Sequence, residues 1–282
     1  MIPASGGRGS WTGVQKKINH ILFSMPCLLQ TVIILLLVCA TAHAEEWKEL
    51  KGENFAIYYL EDAAFAQEVL TRAERYYQRI AADLGYSRYD NFWQWENRAK
   101  IYLYRNHEEF LKATGKQPWI HGTAFYDKRT ILSYKWEHNF LETLLPHELC
   151  HLIFRDFVGF KGEVPLWLDE GVAQWEETGN RGRTLDVVRA LVAKKEAIPL
   201  RELTQIDSRS EKDPVLTTKL YAQAASLVGF LIEKYGPPKF LLFCQQLRDG
   251  KSLDDALSFV YTDVIDSLDD LEKKWAQHYG GV

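Results

Sequence analysis

The stretch Pro146-His147-Glu148-Leu149-Cys150-His151 constrains this chain more than any other, because it writes H-E-x-x-H inside a segment of helical periodicity. On a helix, residues four apart share a face, so His147 and His151 present their imidazoles to one point. Glu148 sits one step round and reaches a water held there. Two metal ligands and a general base then come from a single turn. A further ligand is available in Pro165-Leu166-Trp167-Leu168-Asp169-Glu170-Gly171-Val172-Ala173, where Glu170 follows His151 with eighteen residues between them.

The spacing permits this. From His151 a helix runs about seven residues, or ~10 Å, to Val158, where Gly159 and Gly162 break it, and Pro165 suits the first position of a second helix. Five residues of that helix climb back ~8 Å and bring Glu170 level with His151 if the two pack antiparallel. The competing reading makes Asp169 and Glu170 early-turn acids that complement a helix dipole. Behind H-E-x-x-H, the metal reading is preferred. Pro146 either opens its helix or lies inside a longer one that starts near Asn139 and is kinked by it.

Residues 1–44 read as a secretory signal. They contain no acid, three bases (Arg8, Lys16, Lys17), an apolar core from Leu28 to Val38, and Ala42-His43-Ala44 as a small-residue cleavage site. The leader is long, so either its basic region is extended or translation starts at Met25. An uncleaved anchor is the rival, since Met25 to Ala44 just spans a bilayer, but the A-x-A site favours cleavage. A lipid-modified signal fits less well, with Val38 before Cys39. The chain is therefore expected in the periplasm or outside the cell, touching a membrane through this segment alone if it is not cleaved.

The mature part, 45–282, suits one large domain or two packed lobes. The leader holds three of the 34 basic residues and none of the 38 acidic ones, so the remainder carries a net charge of −7. That balance argues against nucleic acid as a partner. Cys150 and Cys244 are too few for a disulfide framework, and Cys150, off the face of the two histidines, reads as an inert buried thiol.

Strands are expected at 55–59, 100–104, 123–126 and 130–134, the last two as a hairpin around Asp127-Lys128-Arg129. One of them can form a sheet edge beside the metal, where an extended peptide docks by strand addition. Helices are expected at 63–84, closed by Gly85, and at 107–114, stopped by Gly115. Phe92, Trp93 and Trp95 read as core-edge aromatics rather than groove lining. Beyond Asn139 the pattern is helical: 184–195, a loop over 198–214, then 217–235, 239–247, 252–260 and 266–279. The fold class is α+β, with a sheet-bearing part over about 45–138, a mostly helical part over about 139–282, and the H-E-x-x-H helix at the join.

His147-Glu-Leu-Cys-His151 followed by Trp167-Leu-Asp-Glu-Gly-Val-Ala173 resembles the gluzincin clan of zinc metallopeptidases, in particular its compact peptidase MA-like (minigluzincin) domains. The upstream segment Lys100 to Gly122, with its His-Glu-Glu-Phe helix and Trp-x-x-Gly turn, is similar to that family as well. So are Tyr221-Ala-Gln-Ala-Ala-Ser-Leu-Val-Gly-Phe-Leu and Leu271-Glu-Lys-Lys-Trp275. The resemblance implies a zincin-like fold in which His147, His151 and Glu170 bind Zn²⁺ and Glu148 is the general base. It also implies that Tyr221 supports the oxyanion, although Tyr221, Ala225, Val228 and Ile232 share one helical face and a core role is equally open. His121 and His138 are reserve donors for that oxyanion.

The implied activity is endopeptidic hydrolysis of a peptide or protein substrate. An aminopeptidase needs an acidic anchor for a free amine, and Gly122 to Tyr134 offers no Glu and no G-x-M-E-N. A protein that keeps the fold as a non-catalytic peptide-binding or envelope scaffold is the alternative from another class. Asp169 and Glu176 are candidates to hold the far nitrogens of the two histidines.

Overall fold

Alternation and β-branching set the sheet. In Ala-Lys-Ile-Tyr-Leu-Tyr, the strand β3 (Ala99–Tyr104), Ala99, Ile101 and Leu103 are buried while Lys100, Tyr102 and Tyr104 face the other way. The strands β1 (Lys48–Lys51), β2 (Phe55–Tyr59), β4 (Gly122–Phe125) and β5 (Thr130–Tyr134) complete a five-stranded sheet of order β1-β2-β3-β5-β4. Its three central strands are parallel and in register, so Ile57, Ile101 and Ile131 line up across the sheet, all buried. The two edges, β1 and β4, pair antiparallel. The computed structural model describes residues 46–85, 93–136, 140–160, 164–206 and 213–281. The expected signal segment lies outside these, as do Phe92, His138, Asn139 and Gly162.

Parallel neighbours need crossover connections. The first is helix α1 (Ala63–Asp83), capped by the Asp62 carboxylate on the Phe65 amide. It buries Ala66, Val69, Leu70, Ala73, Tyr76, Tyr77 and Ile80 at spacings of three and four. The second contains α2 (His107–Thr114), capped by Asn106 and ended by Gly115 at φ +65°. Between β4 and β5 the chain turns through a short 3₁₀ segment, Tyr126–Lys128, with Arg129 left-handed. The β4 pairing therefore begins and ends one residue earlier than the alternation predicts. Strand β1 carries no signal in its sequence, Lys-Glu-Leu-Lys, because a charged, exposed edge strand lacks the apolar alternation that marks a buried one.

Pro146 lies inside a longer helical run. Phe140–Leu144 forms a π-helical turn that passes without a break into α3 (Leu145–Val158). Proline has no N–H, and its ring crowds the carbonyl four residues back, at Glu142, so the widened turn stands where that defect must be absorbed. Gly159, at φ +78°, closes α3. Helix α4 (Leu166–Glu176) follows, with Pro165 just outside it rather than at its first position.

The remaining helices are α5 (Arg181–Lys194), α6 (Leu200–Leu203), α7 (Pro214–Tyr235), α8 (Pro237–Arg248), α9 (Leu253–Val260) and α10 (Leu268–Gly280). Three depart from what periodicity alone predicts, α5 by starting at Arg181, three residues before the expected 184. The short α6 sits in a segment that reads as loop, and α7 starts three residues early because Asp213 caps it and Pro214 occupies its first position. Buried along most of its length, α7 is the axis of this part. Its Gln223 side chain accepts from the Ile198 amide and donates to the Ile198 carbonyl. Its Ser226 accepts from the Trp275 indole at 3.0 Å.

Helices α4 and α7 meet through glycine. A Cβ on Gly171 would lie 2.7 Å from the Ala224 carbonyl oxygen, and one on Gly229 would lie 2.4 Å from the Trp175 ring. Any side chain there must push the helices apart. Gly171→Ala and Gly229→Ala are each expected to lower unfolding free energy by about 1–3 kcal/mol. The check is a lower urea midpoint with an unchanged slope; an unaltered midpoint would mean that the helices separate without cost.

Candidate metal centre

One turn of α3 carries the first two donors. His147 and His151 project from the same face, with Nε2 atoms 3.2 Å apart. Glu170, the fifth residue of α4, sets Oε2 3.7 Å from His147 Nε2 and 3.9 Å from His151 Nε2. The ligand atoms of all three lie within 4.8 Å of one another. For metal–ligand bonds near 2.1 Å in a tetrahedron, ligand atoms stand about 3.4 Å apart, so the spacing suits one small divalent cation.

The far nitrogens decide which atoms face that point. His151 Nδ1 lies 3.0 Å from Asp169 Oδ1, and His147 Nδ1 lies 2.8 Å from Glu177 Oε1. A carboxylate at Nδ1 keeps a proton there and leaves the Nε2 lone pair as the donor. Of the two anchors considered from sequence, Asp169 takes this place and Glu176 does not. Glu176 is fully buried and points to Arg79 of α1, which donates to its carboxylate at 3.1 Å and to its carbonyl at 2.8 Å. Burial raises its pKa to about 7 despite that partner. Glu177, one residue past the end of α4, is the anchor that periodicity misses, since a helical wheel stops where the helix stops. Asn180 Nδ2 in turn donates to its other oxygen at 2.6 Å.

Asp169 is more heavily engaged. Its second oxygen accepts from Arg155 Nη2 at 3.0 Å, and the Arg155 guanidinium lies 3.9 Å over the Tyr126 ring. Burial works against the Asp169 carboxylate, but His151 and Arg155 outweigh it and hold its pKa well below the usual range. For His147 burial disfavours the charged ring, yet its hydrogen bond to Glu177 and the charges of Glu170 and Glu148 raise it to about 9. Surroundings that stabilise a proton on His147 also stabilise a metal cation.

Glu148 is buried beside the edge strand. A Cβ on Gly122 of β4 would stand 3.2 Å from Glu148 Oε1 and equally close to Leu144, so glycine lets the strand pass this carboxylate closely. A cleft of about 550 Å³ opens over the donors, lined among others by Gly122, Thr123 and Ala124, by Gln174 and Asn180, and by Tyr221. Tyr221 is half-buried at its wall, which places the tyrosine of α7 with the three donors and Glu148.

His121 also lines this cleft, with Nδ1 2.6 Å from the Tyr134 hydroxyl. Trp93 is core: fully buried, with its indole donating to Asp156 at 2.9 Å. Trp95 is exposed and lies away from the cleft. Cys150 is buried on the other side of α3, and burial pushes its thiol pKa well up.

Loosening an anchor should weaken the metal without removing a donor. Glu177→Gln and Asp169→Asn are each expected to lower affinity for zinc or cobalt(II) by about 10–100-fold, read by competition with a chelating dye. Affinities equal to the parent would show that the carboxylates do not orient the rings.

The sequence matches the peptidase MA superfamily over residues 89–279, a stretch that takes in β3, both donor helices and all of α10 but its last residue. No curated protein matches the chain. A match over more than half of the chain, with this donor set inside it, makes the protein a member of the peptidase MA superfamily of metallopeptidases.

Proposed function

We propose that this protein is an exported, zinc-dependent endopeptidase. The observation that supports this best is the convergence of two imidazoles and one carboxylate, each ring backed by its own carboxylate, at the floor of a cleft beside a sheet edge. Two nitrogens and one oxygen form a borderline donor set of the kind zinc favours, whereas calcium and magnesium favour oxygen alone. His147, His151 and Glu170 would hold the ion. When bound, zinc supplies Lewis acidity, polarising the scissile carbonyl and making a nearby water acidic.

The chain's own residues do the rest. Glu148 takes the proton of the attacking water on its carboxylate and hands it to the leaving amine nitrogen. Tyr221 donates to the carbonyl oxygen as negative charge develops there. Strand β4, at the end of the sheet, offers main-chain groups to an extended peptide. Between Gly122 and Tyr134 the acid is Asp127, in the turn beyond β4, and Glu177 is held by His147 and Asn180. Neither suits the free amine of a substrate, which supports internal cleavage over trimming from the amino end. Residues 1–44 would direct export and be removed after Ala44.

Residues 45–282 are expected to carry about one zinc per chain and to cleave unfolded protein. Chelation abolishes this and added zinc restores it. Glu148→Gln should keep the metal and lose kcat by about 10²–10⁴-fold. Zinc retained with no cleavage of any peptide would indicate a peptide-binding scaffold, and a Glu148→Gln variant at full rate would overturn the assignment of the base.

A further inference from the structure

One wall of the cleft takes no part in the chemistry above. Trp119, Ile120 and His121 enter it from the connection between α2 and β4, and Trp136 from the end of β5. Trp119 is 71% exposed, an indole standing in water at the mouth of the cleft. Behind it the wall is tied together by ring stacking and hydrogen bonds. The His121 ring lies flat against Trp136, with centroids 4.7 Å apart and planes 16° from parallel. Its carbonyl accepts from Ser133 Oγ at 2.7 Å, and the Ile120 carbonyl lies 3.0 Å from His107 Nε2. The His107 ring stacks on Tyr134, whose hydroxyl meets His121. His121 and Trp136 are thus held in place before any ligand arrives, which lowers the ordering cost of binding against them.

The wall runs straight into β4 at Gly122, where the edge strand passes Glu148. A peptide lying along that edge turns alternate side chains to the same side, so a residue close to the scissile bond can meet the indoles. Flat aromatic surface gains most from aromatic or long apolar side chains. Indoles also attract cations, but Lys116 lines the same wall and disfavours a basic residue there.

We infer that Trp119 and Trp136, which line this cleft together with His121, form a subsite that selects an aromatic or large apolar side chain of the substrate next to the bond cleaved. The inference rests on the peptidase reading of this cleft, and its test separates the two. Matched fluorogenic peptides carry Phe, Asp or Arg at each position flanking the cleaved bond in turn. At one position kcat/KM for Phe should exceed that for Asp by about 10–100-fold, with Arg no better than Asp. Trp119→Ala should shrink that ratio to a few-fold, while Trp95→Ala, equally exposed but outside the cleft, leaves it unchanged. Equal rates for the three peptides, a preference for Arg, or a Phe preference that survives in both Trp119→Ala and Trp136→Leu overturns the subsite.

If nothing is cleaved, the peptidase reading fails and binding decides the subsite. The Phe peptide should then bind at least tenfold more tightly than its Asp partner by tryptophan fluorescence, and lose that margin in Trp119→Ala. Equal binding of the two would overturn the subsite as well.

Discussion

Asp169 is a buried anion that two residues of α3, one turn apart, share between them. Its two oxygens face His151 and Arg155 at 3.0 Å each. Taking a carboxylate out of water is costly by several kcal/mol unless the protein replaces its hydration, and truncating one partner strands the others. The arrangement therefore has one low-energy register of α4 against α3. In that register the next residue along α4, Glu170, faces both Nε2 atoms. Arg155 lies over Tyr126, so the same charge also fixes the turn between β4 and β5. Edge strand, histidine helix and carboxylate helix converge on a single charged group.

The far side of the site is braced from α1. Arg72 pairs with Glu142, Tyr76 donates to the Leu141 carbonyl and the Glu142 carboxylate, and Arg79 holds the end of α4 through Glu176. Glu177 leaves α4 directly after that contact and reaches back to His147. Behind α4, Gly171 and Gly229 let α7 approach until the helices touch. Each imidazole is thus oriented by a carboxylate whose own backbone is clamped, an arrangement suited to a donor set that must not drift.

Much of this was legible in the sequence, for local reasons. His147, Glu148 and His151 follow from helical spacing, and Gly85, Gly115 and Gly159 end helices at positive φ as their lack of a Cβ allows. Glu170 was reachable because a glycine break and a proline leave little freedom in the return path. What periodicity could not supply are features defined across the fold. The anchor for His147 is Glu177 rather than Glu176, because the chain turns out of its helix between them. Arg155 reads as an ordinary basic residue of a last turn until Asp169 is set beside it. Strand β1 is visible through its pairing with β2, and the aromatic wall comes together from residues before β4 and after β5 that no local pattern joins.

The π-helical turn at 140–144 acts as a phase shifter. Glu142, in the middle of it, is tethered to α1 and the histidines lie downstream, so the widened turn sets the angle between the two. Each residue of an α-helix advances the chain by about 100°. Removing one residue from that turn would swing both imidazoles through roughly that angle about the helix axis, away from Glu170, with the H-E-x-x-H motif still intact in the text of the protein. The azimuth of the two rings is written outside the motif, in a stretch with no chemistry of its own.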